Sequence, residues 1–175
     1  MLSISVRPER HSCHMIQETG EFVVNLTTEE LTHAADFCGV KSGRDVDKWK
    51  ETGLTPMPGK KVKAPLIREC PVNLECCVEK EIPLGSHILF LARVVSVSVD
   101  EAYLDEKGRF HLDWAKPVCY SHGGYFALGS KVGTFGFSVA KKKGAANAGA
   151  GKSRRKHRQD DGGRGDSEKR VSWKK

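Results

Sequence analysis

The chain has no long apolar run: no stretch among its 175 residues could cross a bilayer as a helix, and its first residues do not follow the charged, apolar, small-residue order of a secretory signal. Both absences turn the reading away from membrane and export and towards a cytoplasmic protein. There is no CxxC pair. The six cysteines, Cys13, Cys38, Cys70, Cys76, Cys77 and Cys119, sit inside apolar patterns rather than at disulfide-framework spacings, which predicts reduced and mostly buried thiols. No GxGxxG follows a strand, and the Gly-Val-Lys-Ser at residues 39–42 lacks the GxxxxGK[ST] spacing, so neither a doubly wound dinucleotide fold nor a nucleoside-triphosphate loop is supported. No internal repeat is visible.

Positive charge is also scarce where a domain could form. Residues 141–175 hold 13 Lys or Arg against 4 Asp or Glu, so although the whole chain is at +7, residues 1–140 stand at −2. The basic segment has almost nothing to bury and cannot offset its ordering entropy, which predicts a disordered tail over 140–175 behind a domain at 1–139. Within that tail KSRRKHR (residues 152–158) reads either as a salt-sensitive nucleic-acid arm or as a solubilising extension. The RGD at 164–166 and the group His11, Cys13, His14 are too short to assign to an integrin or a metal.

What is present is a β-rich pattern with short helices inserted. A first strand over Leu2 to Val6 ends at Pro8. Ser12 is placed to cap a helix from Cys13 to Thr19 that stops at Gly20, and EFVVNL (21–26) is the next strand. Thr27 with Glu30 forms a capping-box pattern ahead of Leu31, Ala34, Ala35 and Cys38, with Gly39 as terminator. Asp45 can cap a further short helix that ends at Gly53. In VNLECCVE (72–79) apolar residues alternate with Asn73, Glu75, Cys77 and Glu79, which predicts a half-buried strand. HILFLARVVSVSVD (87–100) begins apolar on both faces and ends alternating, as a barrel wall does when its far end leaves the core. A strand near Pro117 to Ser121 closes the body.

Chemistry concentrates at SVRPERHS (5–12). A helix starting at Ser12 would aim its unpaired N–H groups at the strand end where Arg7 and Arg10 stand, and donors, dipole and guanidinium groups together suit a phosphate. The competing reading is a surface pairing of the arginines with Glu9 or Glu18.

MLSISVRPERHS, EFVVNLTTEEL, CGVKSGRDVDKW, APLI-x-ECPVNLEC, LGSHILFLARVVSV and YSHGGYFALGSKVGTFGFS, in that order over residues 1–139, resemble the flavin reductase-like family near its flavoredoxin branch. The resemblance implies a mainly β, Greek-key type split barrel that binds FMN as a homodimer. It also implies electrons passed through the flavin from a reduced nicotinamide, NAD(P)H, or an iron–sulfur protein.

By position, it implies that Arg7, Arg10 and Ser12 hold the phosphate and that Lys48, His87 and Tyr120 frame the ring, with Ser42 and Arg44 in the adjoining loop. His87, the catalytic residue the resemblance implies, would place a donor or positive charge by the reduced ring. Without the family, Lys48 reads as an exposed helix lysine, His87 as a strand-edge histidine and Tyr120 as core packing. Family members carry further strands ahead of the position of Met1, and the expectation is therefore an N-terminally incomplete barrel with weaker FMN binding and a tendency to associate. The alternative function is a non-catalytic flavin-binding or degenerate barrel acting as an interaction or nucleic-acid-binding module through its tail.

Overall fold

A computed structural model describes residues 1–140; the basic tail at 141–175, with its nucleic-acid and disorder readings, lies outside the described residues. Contacts divide the chain into a unit of Met1–Lys131 and a second unit beginning at Val132. In the second, Gly136 at φ +82° leads into a single 3-10 turn over Phe137–Val139.

The first unit is built on a four-stranded antiparallel sheet of β1 (Leu2–Val6), β2 (Glu21–Asn25), β5 (Val72–Pro83) and β6 (Ile88–Val99) in the order β1-β6-β5-β2. Two register shifts along the β5–β6 ladder, at Glu75/Cys76 and Val78/Lys80, curl the long hairpin. Helix α1 (His11–Thr19) connects the two edge strands across one face. There Cys13 and Ile16 pack with Phe22, Cys76, Phe90 and Ala92 in a closed core, flanked by Leu2, Ile4, Val24 and Val94. Burial, with the charges of Glu81 and Glu9, pushes the Cys13 thiol up, and burial raises the Cys70 thiol to about 11. Both are packing residues in their neutral form.

Helix α1 begins two residues earlier than the sequence predicts. Pro8 occupies a turn in which the Arg10 N–H donates to the Arg7 carbonyl at 3.0 Å, and Arg10, not Ser12, takes the N-cap position. Its stop at Gly20 is as expected, with φ +67°. Helix α2 (Thr32–Val40) starts later than the capping-box pattern implies, because residues 27–29 are drawn into pairing elsewhere. Val118 N–H donates to the Thr27 carbonyl, Glu29 N–H donates to Lys116, and Thr28 bridges Pro117. Gly39 does not terminate α2 but lies inside it. Helix α3 (Lys48–Thr52) is capped by Asp47 instead of Asp45, its carboxylate accepting from Trp49 and Lys50 N–H at 3.1 and 3.3 Å.

The expectation of one wet face on β5 needs correction. Asn73 and Glu75 are buried, because a strap over residues 54–70 crosses that face and carries the two-residue strands β3 (Pro56–Met57) and β4 (Leu66–Ile67). The strap is held by sheet side chains that accept its backbone N–H groups. Glu75 takes those of Lys61 and Val62 at 2.6 and 3.1 Å, Glu21 that of Lys63 at 2.8 Å, and Asn25 and Asn73 that of Ile67 at 3.2 and 3.1 Å. Burial alone would raise the Glu75 carboxyl, but the amides of residues 60–62 and the Ser96 side chain hold it below the ordinary glutamate value.

The strand expected to close the body is instead part of a separate hairpin. β7 (Val118–Ser121) pairs only with β8 (Gly124–Ala127), joined to the rest through the Thr28–Pro117 bridge. Among the described residues no helix is long and apolar enough to cross a membrane.

Candidate functional site: a cationic cleft at the start of the first long helix

The turn from β1 into α1 and the loop from α2 to α3 enclose an open cleft of about 1070 Å³. Arg10 and Ser12 line it from the start of α1, Cys38 and Gly39 from the end of α2, Ser42 and Arg44 from the connecting loop, and Lys48 from α3. The local chain explains the assembly. Pro8 turns the strand so that α1 starts at its end, and the polar 41–47 loop brings α3 back beside it.

Cations here are held by backbone carbonyls instead of acids. Lys48 Nζ donates to the Cys38 carbonyl at 2.6 Å and Arg10 Nη1 to the Gly39 carbonyl at 3.2 Å. These consecutive carbonyls close the negative end of α2, which is why the helix runs past its glycine without a left-handed cap. Arg44 Nε donates to His11 Nδ1 at 3.3 Å, and the Arg44 N–H donates to Ser42 Oγ at 3.2 Å. Helix α1 has no acidic residue in its first turn, and the Ser12 hydroxyl does not cap it. Of the acids on the wall, Glu9 pairs with Arg7 at 2.7 Å and Asp47 caps α3, which leaves Asp45. The cleft therefore joins four basic side chains, Arg10, Lys41, Arg44 and Lys48, and a positive helix end to one uncommitted carboxylate, a field that favours an anion.

The structure thus brings together Arg10, Ser12, Ser42, Arg44 and Lys48. Arg7 does not line the cleft; its guanidinium lies against Glu9 at the surface. His87 also lies outside the lining. It ends the turn between β5 and β6, where Leu84 N–H donates to its carbonyl and Ser86 Oγ lies 2.9 Å from Nδ1. Because Ile88 pairs with Val6, this turn shares the sheet end that carries the β1–α1 corner. Tyr120 is 66% exposed, so it is no core residue; its ring sits 5.0 Å from Tyr125, whose hydroxyl donates to Asp36 on α2 at 3.3 Å. Sequence reasoning missed the carbonyls of Cys38 and Gly39, since a backbone acceptor leaves no residue-type signal. It also missed Asp47, two positions from the cap it named.

The family described as flavin reductase like domain matches residues 1–129. The chain belongs to the flavin reductase-like family. An uncharacterized protein of Archaeoglobus fulgidus is 38% identical over 107 residues, which is 61% of this chain and 60% of that protein, so the chain spans less than two thirds of that relative. Flavoredoxin of Desulfovibrio vulgaris (Miyazaki F) superposes with a TM-score of 0.71 at 27% identity, over 79% of this chain and 76% of that one. A Shewanella frigidimarina structure described as a putative flavin reductase with a split barrel domain superposes with a TM-score of 0.66 at 21% identity, over 75% of this chain and 68% of that one, a likeness of fold alone. The curled sheet with its short helices is this family's split barrel.

Proposed function

We propose that the chain is an FMN-binding oxidoreductase that takes electrons from a reduced nicotinamide or an iron–sulfur protein. The observation that carries this is the pair of cations, Lys48 and Arg10, held on the consecutive carbonyls of Cys38 and Gly39 beside the start of α1. A carbonyl is a neutral partner, so a phosphate dianion competes well for both side chains and adds the amides of His11 and Ser12. The cleft is large enough for more than the phosphate of a mononucleotide. Arg10, Ser12 and Lys48 hold the phosphate, assisted by Ser42 and Arg44 in the loop, while Arg7 lies outside the lining and neutralises Glu9. His87 at the neighbouring turn offers a donor to the ring, and Tyr120 an aromatic face.

Bound flavin supplies the electron-accepting chemistry; the protein binds, orients and tunes it. A homodimer is the expected assembly, in keeping with the exposed Tyr120, Phe126 and Leu128 on and beside the β7–β8 hairpin. Titrating the purified chain with FMN, followed by addition of NADH or NADPH, tests the reading. The expected result is one flavin per chain, bleached by a donor. Absence of saturable FMN binding overturns it, and bound flavin bleached by neither nicotinamide assigns a protein donor.

A further inference from the structure

Three cations of the cleft are held by neutral acceptors, and one of those acceptors can itself gain a proton. Arg10 and Lys48 donate to the carbonyls of Gly39 and Cys38, whereas Arg44 Nε donates to Nδ1 of His11 at 3.3 Å. A ring nitrogen that accepts from a guanidinium carries no proton, so this imidazole is neutral with its hydrogen on Nε2. His11 opens α1 and lines the cleft, packed against the loop at Gly43, where a β-carbon would lie 3.5 Å from His11 Cδ2 and 4.0 Å from Lys48 Cε. The ring thus stands among positive groups: Arg44 and Lys41 from the loop, Lys48 from α3 beyond Gly43, and Arg10 beside it in the chain. Glu9 is paired with Arg7 and Asp47 caps α3, which leaves Asp45 among the acids of the lining. His14, one turn further along α1, lies outside the lining.

We propose that His11 is a positioning residue that sets the anion affinity of the cleft with pH, holding Arg44 back when neutral and releasing it to the anion when protonated, an inference that rests on the flavin-dependent reading above and names what tunes the same site. Protonation at Nδ1 removes the lone pair that Arg44 uses and sets one N–H against another. It also adds a positive charge at the start of α1. Both changes favour a bound dianion, so affinity rises as pH falls through the range in which imidazoles titrate. By linkage, a bound anion favours the protonated ring to the same degree. The carbonyls of Cys38 and Gly39 keep their lone pairs at every pH, so Arg10 and Lys48 supply the constant part of the affinity, and His11 with Arg44 the variable part. A phosphate monoester such as that of FMN takes up its second proton near pH ~6 and loses charge over the same interval, which masks the gain. Sulfate stays a dianion and reveals it.

The test titrates the full chain with sulfate at about pH 8 and about pH 5.5, reading the amide signals of His11 and Ser12 and the His11 ring by NMR. FMN binding at about pH 8 is read separately by fluorescence. Sulfate should bind about five- to tenfold more tightly at the lower pH, and its presence should move the titration midpoint of the His11 ring upwards. His11→Gln, which keeps an acceptor for Arg44 but cannot gain a proton, flattens the profile, and Arg44→Gln shrinks the gain. A wild-type sulfate affinity indifferent to pH, or a His11→Gln protein with the wild-type profile, overturns the role of His11 alone when FMN still binds saturably. Sulfate that moves neither amide at either pH overturns it as well. Binding of sulfate that follows the expected profile in a chain that takes up no FMN overturns the flavin reading and upholds His11 as the residue that sets anion affinity.

Discussion

The cleft beside α1 and the strap on the opposite face of the sheet use the same device with opposite sign and opposite fate. In the cleft, Arg10 and Lys48 satisfy the terminal carbonyls of α2; under the strap, Glu75 and Glu21 satisfy the N–H groups of residues 61–63. The cations sit in an open cavity where an anion can exchange for a carbonyl. Glu75 is fully buried, so nothing from solvent can take its place. A charge that caps backbone at the surface remains available for binding, whereas one that caps backbone in the interior becomes structure.

The largest expected effect tests the buried half. Glu75→Ala strands the amides of Lys61 and Val62 and should cost about 3 kcal/mol in urea unfolding, while Lys48→Ala should stay within about 1 kcal/mol. A smaller loss for Glu75→Ala than for Lys48→Ala would break the comparison. Next comes the open half: Arg10→Ala and Lys48→Ala should each weaken FMN binding by about 10- to 100-fold in a fluorescence titration, the loss of one charge-assisted hydrogen bond.

Acid separates the two regions further. With its folded pKa held below the ordinary glutamate value of ~4.3, Glu75 contributes stability that is complete above that value and lost as pH falls through the lower folded one. Amide exchange at residues 60–63 should accelerate in that window in the wild type. In Glu75→Gln, which keeps an acceptor but has no proton to gain, it should not. The smallest effect belongs to Arg7. Paired with Glu9 at the surface, its replacement by Ala should change stability by less than about 0.5 kcal/mol and FMN affinity by only about threefold. A loss as large as that for Arg10 would show that Arg7 turns into the cleft when the anion binds.

Local rules made much of the fold legible. The stops at Gly20 and Gly53 follow from left-handed backbone that favours glycine, and the long β5–β6 hairpin from its apolar runs. The basic corner was legible because Arg10 and Ser12 are close in sequence to the Pro8 turn. Helix starts were displaced wherever a distant segment competed for the same groups, as residues 116–118 did for 27–29. The alternation of Asn73, Glu75 and Cys77 looked like a wet face because polar side chains that bind a backbone strap have the same pattern as those that bind water.

Sequence by itself determined the split-barrel pattern, the family and the presence of a basic corner, since each depends on residue types at short spacing. Tertiary structure alone decided which charges are free. It set Lys48 and Arg10 on the end of α2, buried Glu75 beneath the strap and left Lys60, Lys61 and Lys63 without an ion pair among the described residues. Whether a charge binds a ligand or holds the main chain depends on which backbone groups the fold brings to it from far along the chain, and that is not written in its neighbours.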